Sequence, residues 1–344
     1  MPSRSVALPE QMKETIAAYL AANGEAFELL HEGAGFKLSR YPVDISKGFR
    51  SDLAHLSHVR KGARMLGLEA ILEAENDRPA SATKSLLALL GLARSLANEP
   101  LLVSQLVRFA CDGTGLHTLN QILSRTAFNE DQLVQLQTAF RNAEDASSLM
   151  RAFAGERYLI IDAFGQLQSG KMKPEEMAFL TGDPTLEPVE FSQYKVDGRL
   201  DEDYLAFLEI TEGYLRALAQ PYPKRLEDAK TMEDRAATLP KGWFYTRLLV
   251  PSLYKPVLGH DAKHVGSLHV AIVALAVERW RLAHGTLPDK LDEPFLHALP
   301  ADPFDGQPLR YKRLDKGYVV YSTGEDGVDD GGDEKKDITF RVER

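Results

Sequence analysis

The residues best suited to chemistry lie near the C-terminus, in GEDGVDDGGDEKKD (324–337). This stretch holds Glu325, Asp326, Asp329, Asp330, Asp333, Glu334 and Asp337 among four glycines. Clustered carboxylates repel one another unless water or a cation neutralises them. Hard oxygen ligands on a glycine-rich turn suit Ca²⁺, which takes about 6–8 oxygens in flexible geometry. The glycines let the backbone turn tightly, so that carbonyls can join the carboxylates. Counted from Asp326, acids fall at positions 1, 5 and 12 with glycine at 6, which is part of an EF-hand loop. Position 3 is Val328 and the flanks read as strands, which rules the EF-hand out. A solvated acidic turn is the competing reading of the same residues.

Other reactive residue types are scattered. His260, His264 and His269 are close in sequence, and the first two are spaced to share a zinc ion on a helix. With no HExxH and no third ligand in the pattern, they are expected to be satisfied or surface histidines. Ser81 and Lys84 form S-x-x-K, but the serine stands at a helix start, where capping explains it. Asp162, between hydrophobic residues, is expected to pair with Arg157. No phosphate loop, G-x-S-x-G or dinucleotide fingerprint occurs, so no catalytic residue is assigned. Cys111 is the only cysteine, which excludes an internal disulfide and a thiolate cluster. In LVRFAC it is expected to pack as a small core residue.

Composition sets the bounds. The chain has 344 residues, 44% hydrophobic and 26% charged, with a net charge of −9. That is ordinary globular material, and it gives no bulk basic surface for nucleic acid. Residues 322–344 contain eight acids against four bases, so −4 of the −9 sits in the last 23 residues. The longest apolar run, Val270 to Val277, is closed by Glu278 and Arg279, well short of the ~17 residues that cross a bilayer. No membrane span is therefore expected, and MPSRSVALPEQMKET lacks a signal-peptide core.

The elements that must position these residues read as α+β. A large, mostly α-helical body is expected over 1–258. Met12, Ile16, Tyr19, Leu20, Phe27 and Leu30 mark one helical face, stopped by Gly33 and Gly35. A second helix carries Leu53 to Leu72 behind Ser51 or Asp52 as N-cap, and a third follows Pro79. Further helices are expected over 101–111, 115–126, 130–143 and 147–164, with Asn129 and Gln132 as a capping pair. Residues 165–199, with Gly170, Pro184 and Pro188, read as an irregular connection before helix resumes near Asp201. No repeat recurs at a fixed interval. Pro251, Pro256 and Gly259 suggest a boundary, with Asp261 capping a helix over 262–284 that is apolar on two sides and so sandwiched between layers. Gly285 and Pro288 end it. LRYKRL (309–314) and YVVYST (318–323) alternate around Asp315-Lys316-Gly317 as a hairpin, and ITFRV (338–342) adds a third antiparallel strand. The second unit, 259–344, is thus a long helix packed on a small three-stranded sheet.

AVERWRLAHGTLP, LPADPFDGQPLRY and YVVYSTGEDG with Asp337-Ile338 together resemble the periplasmic domain of the type II secretion major pseudopilin. The family shows a long helix ending in a small-residue turn, a DP-aromatic turn, and a Y-S-x-G-x-D-G loop closing on D-I. The likeness covers roughly 262–344, a quarter of the chain, and implies a calcium-stabilised loop. Asp326 and Asp337 match the family's acidic positions and Ser322 its serine, while Lys335 stands near another acid of the pattern. Asp329 and Asp330 join the expected ligand set from the chemistry of the loop alone. The chain departs from the family at its start, where about 260 residues precede the matching helix and no apolar filament helix follows NGEAFELLHE. The resulting expectation is a non-enzymatic bacterial cell-envelope component, meeting protein partners through its helical body, and periplasmic if an anchor precedes this sequence or cytoplasmic if none does. The alternatives are a cytosolic helical-repeat adaptor, or a hydrolase with a pocket between body and sheet.

Overall fold

In a computed structural model the chain is described at residue 4 and over 6–173, 176, 191–240, 243–291 and 299–343. Its helices are α1 (Glu10–Ala22), α2 (Gly24–Ala34), α3 (Ala54–Glu75), α4 (Pro79–Arg94), α5 (Leu102–Leu123), α6 (Glu130–Ala143) and α7 (Ala146–Gln168). They continue with α8 (Phe191–Val196), α9 (Arg199–Leu218), α10 (Lys224–Ala237), α11 (Phe244–Leu249) and α12 (Lys255–His284). Strands β1 (Arg310–Leu314), β2 (Gly317–Ser322) and β3 (Ile338–Glu343) form an antiparallel sheet in that order. The class is α+β, as the sequence implies.

Local signals explain several boundaries. Asn129 and Gln132 make a reciprocal capping box, each side chain accepting the other's N–H at 2.9 Å. That satisfies two donors the helix itself leaves free. Asp145 opens α7 by accepting from Ser147 N. Gly285 stops α12 with φ 74, and its N–H closes on Arg281 O at 2.8 Å. The hairpin pairs Leu314 with Gly317, so its turn is the two residues Asp315-Lys316 and Gly317 already belongs to β2. A Cβ on Gly317 would fall 1.9 Å from Val342 O, so only glycine fits there.

Other boundaries correct the sequence expectation. The single helix through Leu30 is two, broken at Asn23. The pair expected over 101–111 and 115–126 is one continuous helix, α5. Gly115 lies inside it because Leu89 and Leu90 pack against the backbone there. α4 begins at Pro79, so Ser81 lies inside its first turn and is not the cap. Of the irregular stretch expected over 165–199, residues 165–168 belong to α7 and 191–196 to α8, while 174, 175 and 177–190 lie outside the described residues. α12 starts at Lys255, with a π-helical turn before it, so it runs unbroken across 258/259. Asp261 is therefore inside the helix. It does not cap it: its carboxylate is buried and accepts from Arg225 at 2.9 Å and Tyr222 at 2.6 Å.

The two-sided apolar pattern of α12 has the expected cause. The helix is buried nearly throughout from Val257 to Glu278, against α5 and α6 as well as against β2 and β3. Gln137 reaches Ile272 O at 3.0 Å, and Tyr318 reaches Ala274 O at 3.0 Å, tying both neighbours to its backbone. Two apolar cores result. The first joins α1 to α6, the middle and later part of α12, and one sheet face through Tyr318, Val320, Phe340 and Val342. The second joins α7 to α11 with the beginnings of α5 and α12, through Leu102, Phe109, Val257 and Leu258. α5 and α12 thus contribute to both.

Candidate metal centre

The acidic loop runs from the end of β2 to the start of β3, and strand alternation fixes where it lies. Tyr318 and Val320 face α12, so Val319 and Tyr321 point to the opposite side of the sheet. A Cβ on Gly332 would come within 3.2 Å of the Tyr321 ring and 3.4 Å of Val319. The loop therefore folds back across the outer face of β2. Gly332 has φ 82, and its lack of a side chain permits both the turn and the close approach.

A carboxylate outside the loop holds its base. Asp302, fully buried, accepts from Phe304 N at 3.0 Å, Ser322 Oγ at 2.9 Å and Thr323 N at 3.0 Å, and pairs with Arg310. Arg310 reaches Asp305 with its other nitrogen. Burial alone would raise the Asp305 carboxyl, but the Arg310 hydrogen bond and charge, with the Gln307 N–H, hold it below the usual carboxylate range. The sequence shows Asp302 only as part of a DP-aromatic turn. Its tie to Ser322, twenty residues on, is a tertiary contact that spacing does not encode.

The expected ligands divide accordingly. Ser322 Oγ donates to Asp302 and accepts from Gly324 N at 3.2 Å, so it braces the loop from beneath. Asp326 and Asp329 each use one oxygen in a local turn, accepting from Val328 N at 3.0 Å and Gly331 N at 2.9 Å. The second oxygen of Asp329 lies 3.9 Å from Arg310 Nε. Asp330 pairs with Lys336 at 2.7 Å. Asp337 is the buried one: Oδ2 accepts from Gly332 N at 2.7 Å, while Oδ1 is shielded from solvent and has no hydrogen-bond partner. An unsatisfied buried carboxylate oxygen costs on the order of 1–3 kcal/mol or more, and such atoms in folded proteins commonly mark an ion or water. Among the described residues, no three His, Cys, Asp or Glu side chains converge on one point. A calcium site here would draw on carbonyl oxygens beside Asp337, which Ca²⁺ accepts readily.

The histidines do not meet. His264 Nε2 pairs with buried Asp112 at 3.0 Å and stacks on Phe109, while His269 bridges Glu144 at 2.9 Å and Ala301 O at 2.7 Å. The His269 hydrogen bond pulls the Glu144 carboxyl below its usual range. Asp162 accepts from Gln166, and Arg157 pairs with Glu212 and Thr211, so the expected Asp162–Arg157 pair does not form. Cys111 is buried, which pushes its thiol up to about 12, away from nucleophilic use at neutral pH. No described helix is long and apolar enough to cross a membrane. Comparison with protein-family models, with characterised proteins and with solved structures finds no match to this chain.

Proposed function

We propose that this chain is a non-enzymatic interaction or assembly component of a bacterial cell envelope, whose C-terminal helix-and-sheet unit is locked by one Ca²⁺. The observation that carries the reading is Asp337 Oδ1, buried and unpartnered at the foot of a glycine-rich loop with six further acids. The ion would be held by Asp337 Oδ1 and loop carbonyls, with Asp326, Asp329 and Asp330 lending negative charge from around the loop without converging on the same point. Ser322 supports this arrangement through Asp302. The cation would supply charge neutralisation and no reaction chemistry, clamping the loop onto β2. The C-terminal resemblance to the secretion pseudopilin domain supports both the ion and the envelope setting. The helical body, with exposed Leu29, Phe36 and Leu38, offers surface for protein partners.

Thermal melts of the wild type in EDTA and in millimolar Ca²⁺ test this. Calcium at a hundredfold excess over its Kd stabilises by about 2.7 kcal/mol, a shift of several degrees. Asp337→Asn should abolish the shift. Coincident wild-type curves, with no calcium found by elemental analysis, overturn the reading.

A further inference from the structure

A second site lies on the opposite chemistry. Between α3, α5 and α12 runs a trough of 460 Å³, floored by Val103, Leu106, Phe109 and Leu116 of α5. Every titratable side chain that lines it is basic: Arg60 from α3, and His260, Lys263 and His264 from α12. This occurs in a chain whose net charge is −9. Among the described residues, Arg60 and His260 make no hydrogen bond or ion pair, and Lys263 is shared with exposed Glu325 at 3.0 Å. His264 pairs at 3.0 Å with buried Asp112, which does not itself line the trough.

The floor is apolar and partly open to solvent. Val103, Leu106, Val107, Ala110 and Gly113 fall on one face of α5, and Val103, Ala110 and Gly113 are exposed. Gly113 sits in the middle of a helix, where glycine lowers stability. Some helical glycines have a packing reason, since a Cβ on Gly67 or Gly115 would come within 3.0 Å of a neighbour, whereas Gly33 and Gly165, like Gly113, have open space. A Cβ on Gly113 would meet nothing within 4 Å. Internal packing does not ask for glycine there, and the open space above it belongs to the trough.

We infer that this trough binds a single-chain amphiphile with an anionic head, carboxylate or phosphate. The apolar floor would take the chain, and Arg60 and His260 the head. Its volume lies in the range of small-ligand pockets. From Val103 to Gly113 the floor runs about 15 Å, the length of an extended laurate chain. A carboxylate or phosphate at this rim would gain the charge-assisted hydrogen bonds that a cationic head would forfeit to repulsion.

Isothermal titration with laurate, dodecyl phosphate and dodecyltrimethylammonium, each below its micellar concentration, tests the assignment. At least one anion should bind the wild type ten times more tightly than the cation, and the tighter of the two names the head group. Gly113→Leu, which fills open space in a helix, should weaken that anion at least tenfold while melting no lower than wild type. Arg60→Glu, at an exposed side chain, should weaken it similarly and serves if the leucine variant misfolds. Equal binding of anion and cation, undiminished binding to both variants, or no binding of either anion overturns the proposal.

Discussion

Asp302→Ala should be among the most damaging single changes in the C-terminal unit. The wild-type carboxylate is fully buried and accepts from two backbone N–H groups, a serine hydroxyl and a guanidinium. Truncation strands Ser322 Oγ and Thr323 N away from water, and orphaned donors of this kind cost about 1–3 kcal/mol each. Arg310 keeps Asp305 and is itself partly exposed, so the broken ion pair adds toward the low end of the usual 3–5 kcal/mol. These terms overlap, and the net expected loss is about 3–4 kcal/mol. Asp302→Asn preserves shape and one acceptor but sets an NH₂ against donors, so about half that loss is expected. Urea unfolding followed by far-UV circular dichroism reads both as a fall in midpoint at constant slope. A loss under about 1 kcal/mol for Asp302→Ala would refute the claim that this carboxylate holds the loop base.

Further expectations concern the helical body. Gly155→Ala should destabilise by about 2 kcal/mol or more, because its Cβ would lie 2.0 Å from the Pro100 carbonyl oxygen and backbone must move, whereas Gly113→Ala should stabilise by about 0.5–1 kcal/mol. Paired urea titrations decide it, and equal effects would contradict the packing. Asn129→Ala removes a capping box and should cost about 1 kcal/mol by the same assay. Glu156, buried with a single 3.4 Å hydrogen bond from Leu102 N, has its carboxyl raised above the ordinary 4.5 by burial. The stability that this raised value contributes is present below about pH 4.5 and is lost as pH rises through the folded value. Glu156→Gln stays neutral throughout, so its melting temperature relative to wild type should climb between pH 4.5 and pH 8; a flat difference would contradict it.

How far the sequence reaches depends on whether the cause is local. The capping box at Asn129 and Gln132 and the stop at Gly285 are set by neighbours within a few residues, and each is where the pattern places it; β2 is a strand as expected but is buried on both faces, so its burial does not alternate. The double stripe of α12 is equally legible, because burial on two sides leaves apolar residues all round the helix. Gly113 and Gly115 mislead, since they resemble a break. Leu89 and Leu90 press on the second from another helix, and the first faces open space. The join at Asn23 is hidden for the converse reason, since apolar spacing continues across it. The candidate site divides in the same way. Its acids and glycines are plain in the sequence. Asp302 beneath Ser322, and the Asp112 and Glu144 partners of His264 and His269, are brought together only by the tertiary fold across 20, 152 and 125 residues. Burial of a single oxygen of Asp337 is likewise a property of the folded chain alone.

The most direct measurement of the central claim is calcium stoichiometry on the intact chain, by calorimetric titration after EDTA treatment and removal of the chelator. The account predicts one Ca²⁺ per chain for wild type and none for Asp337→Asn, with the variant still folded by circular dichroism. Absence of calcium binding in the wild type, or an unaltered site in Asp337→Asn, would contradict it.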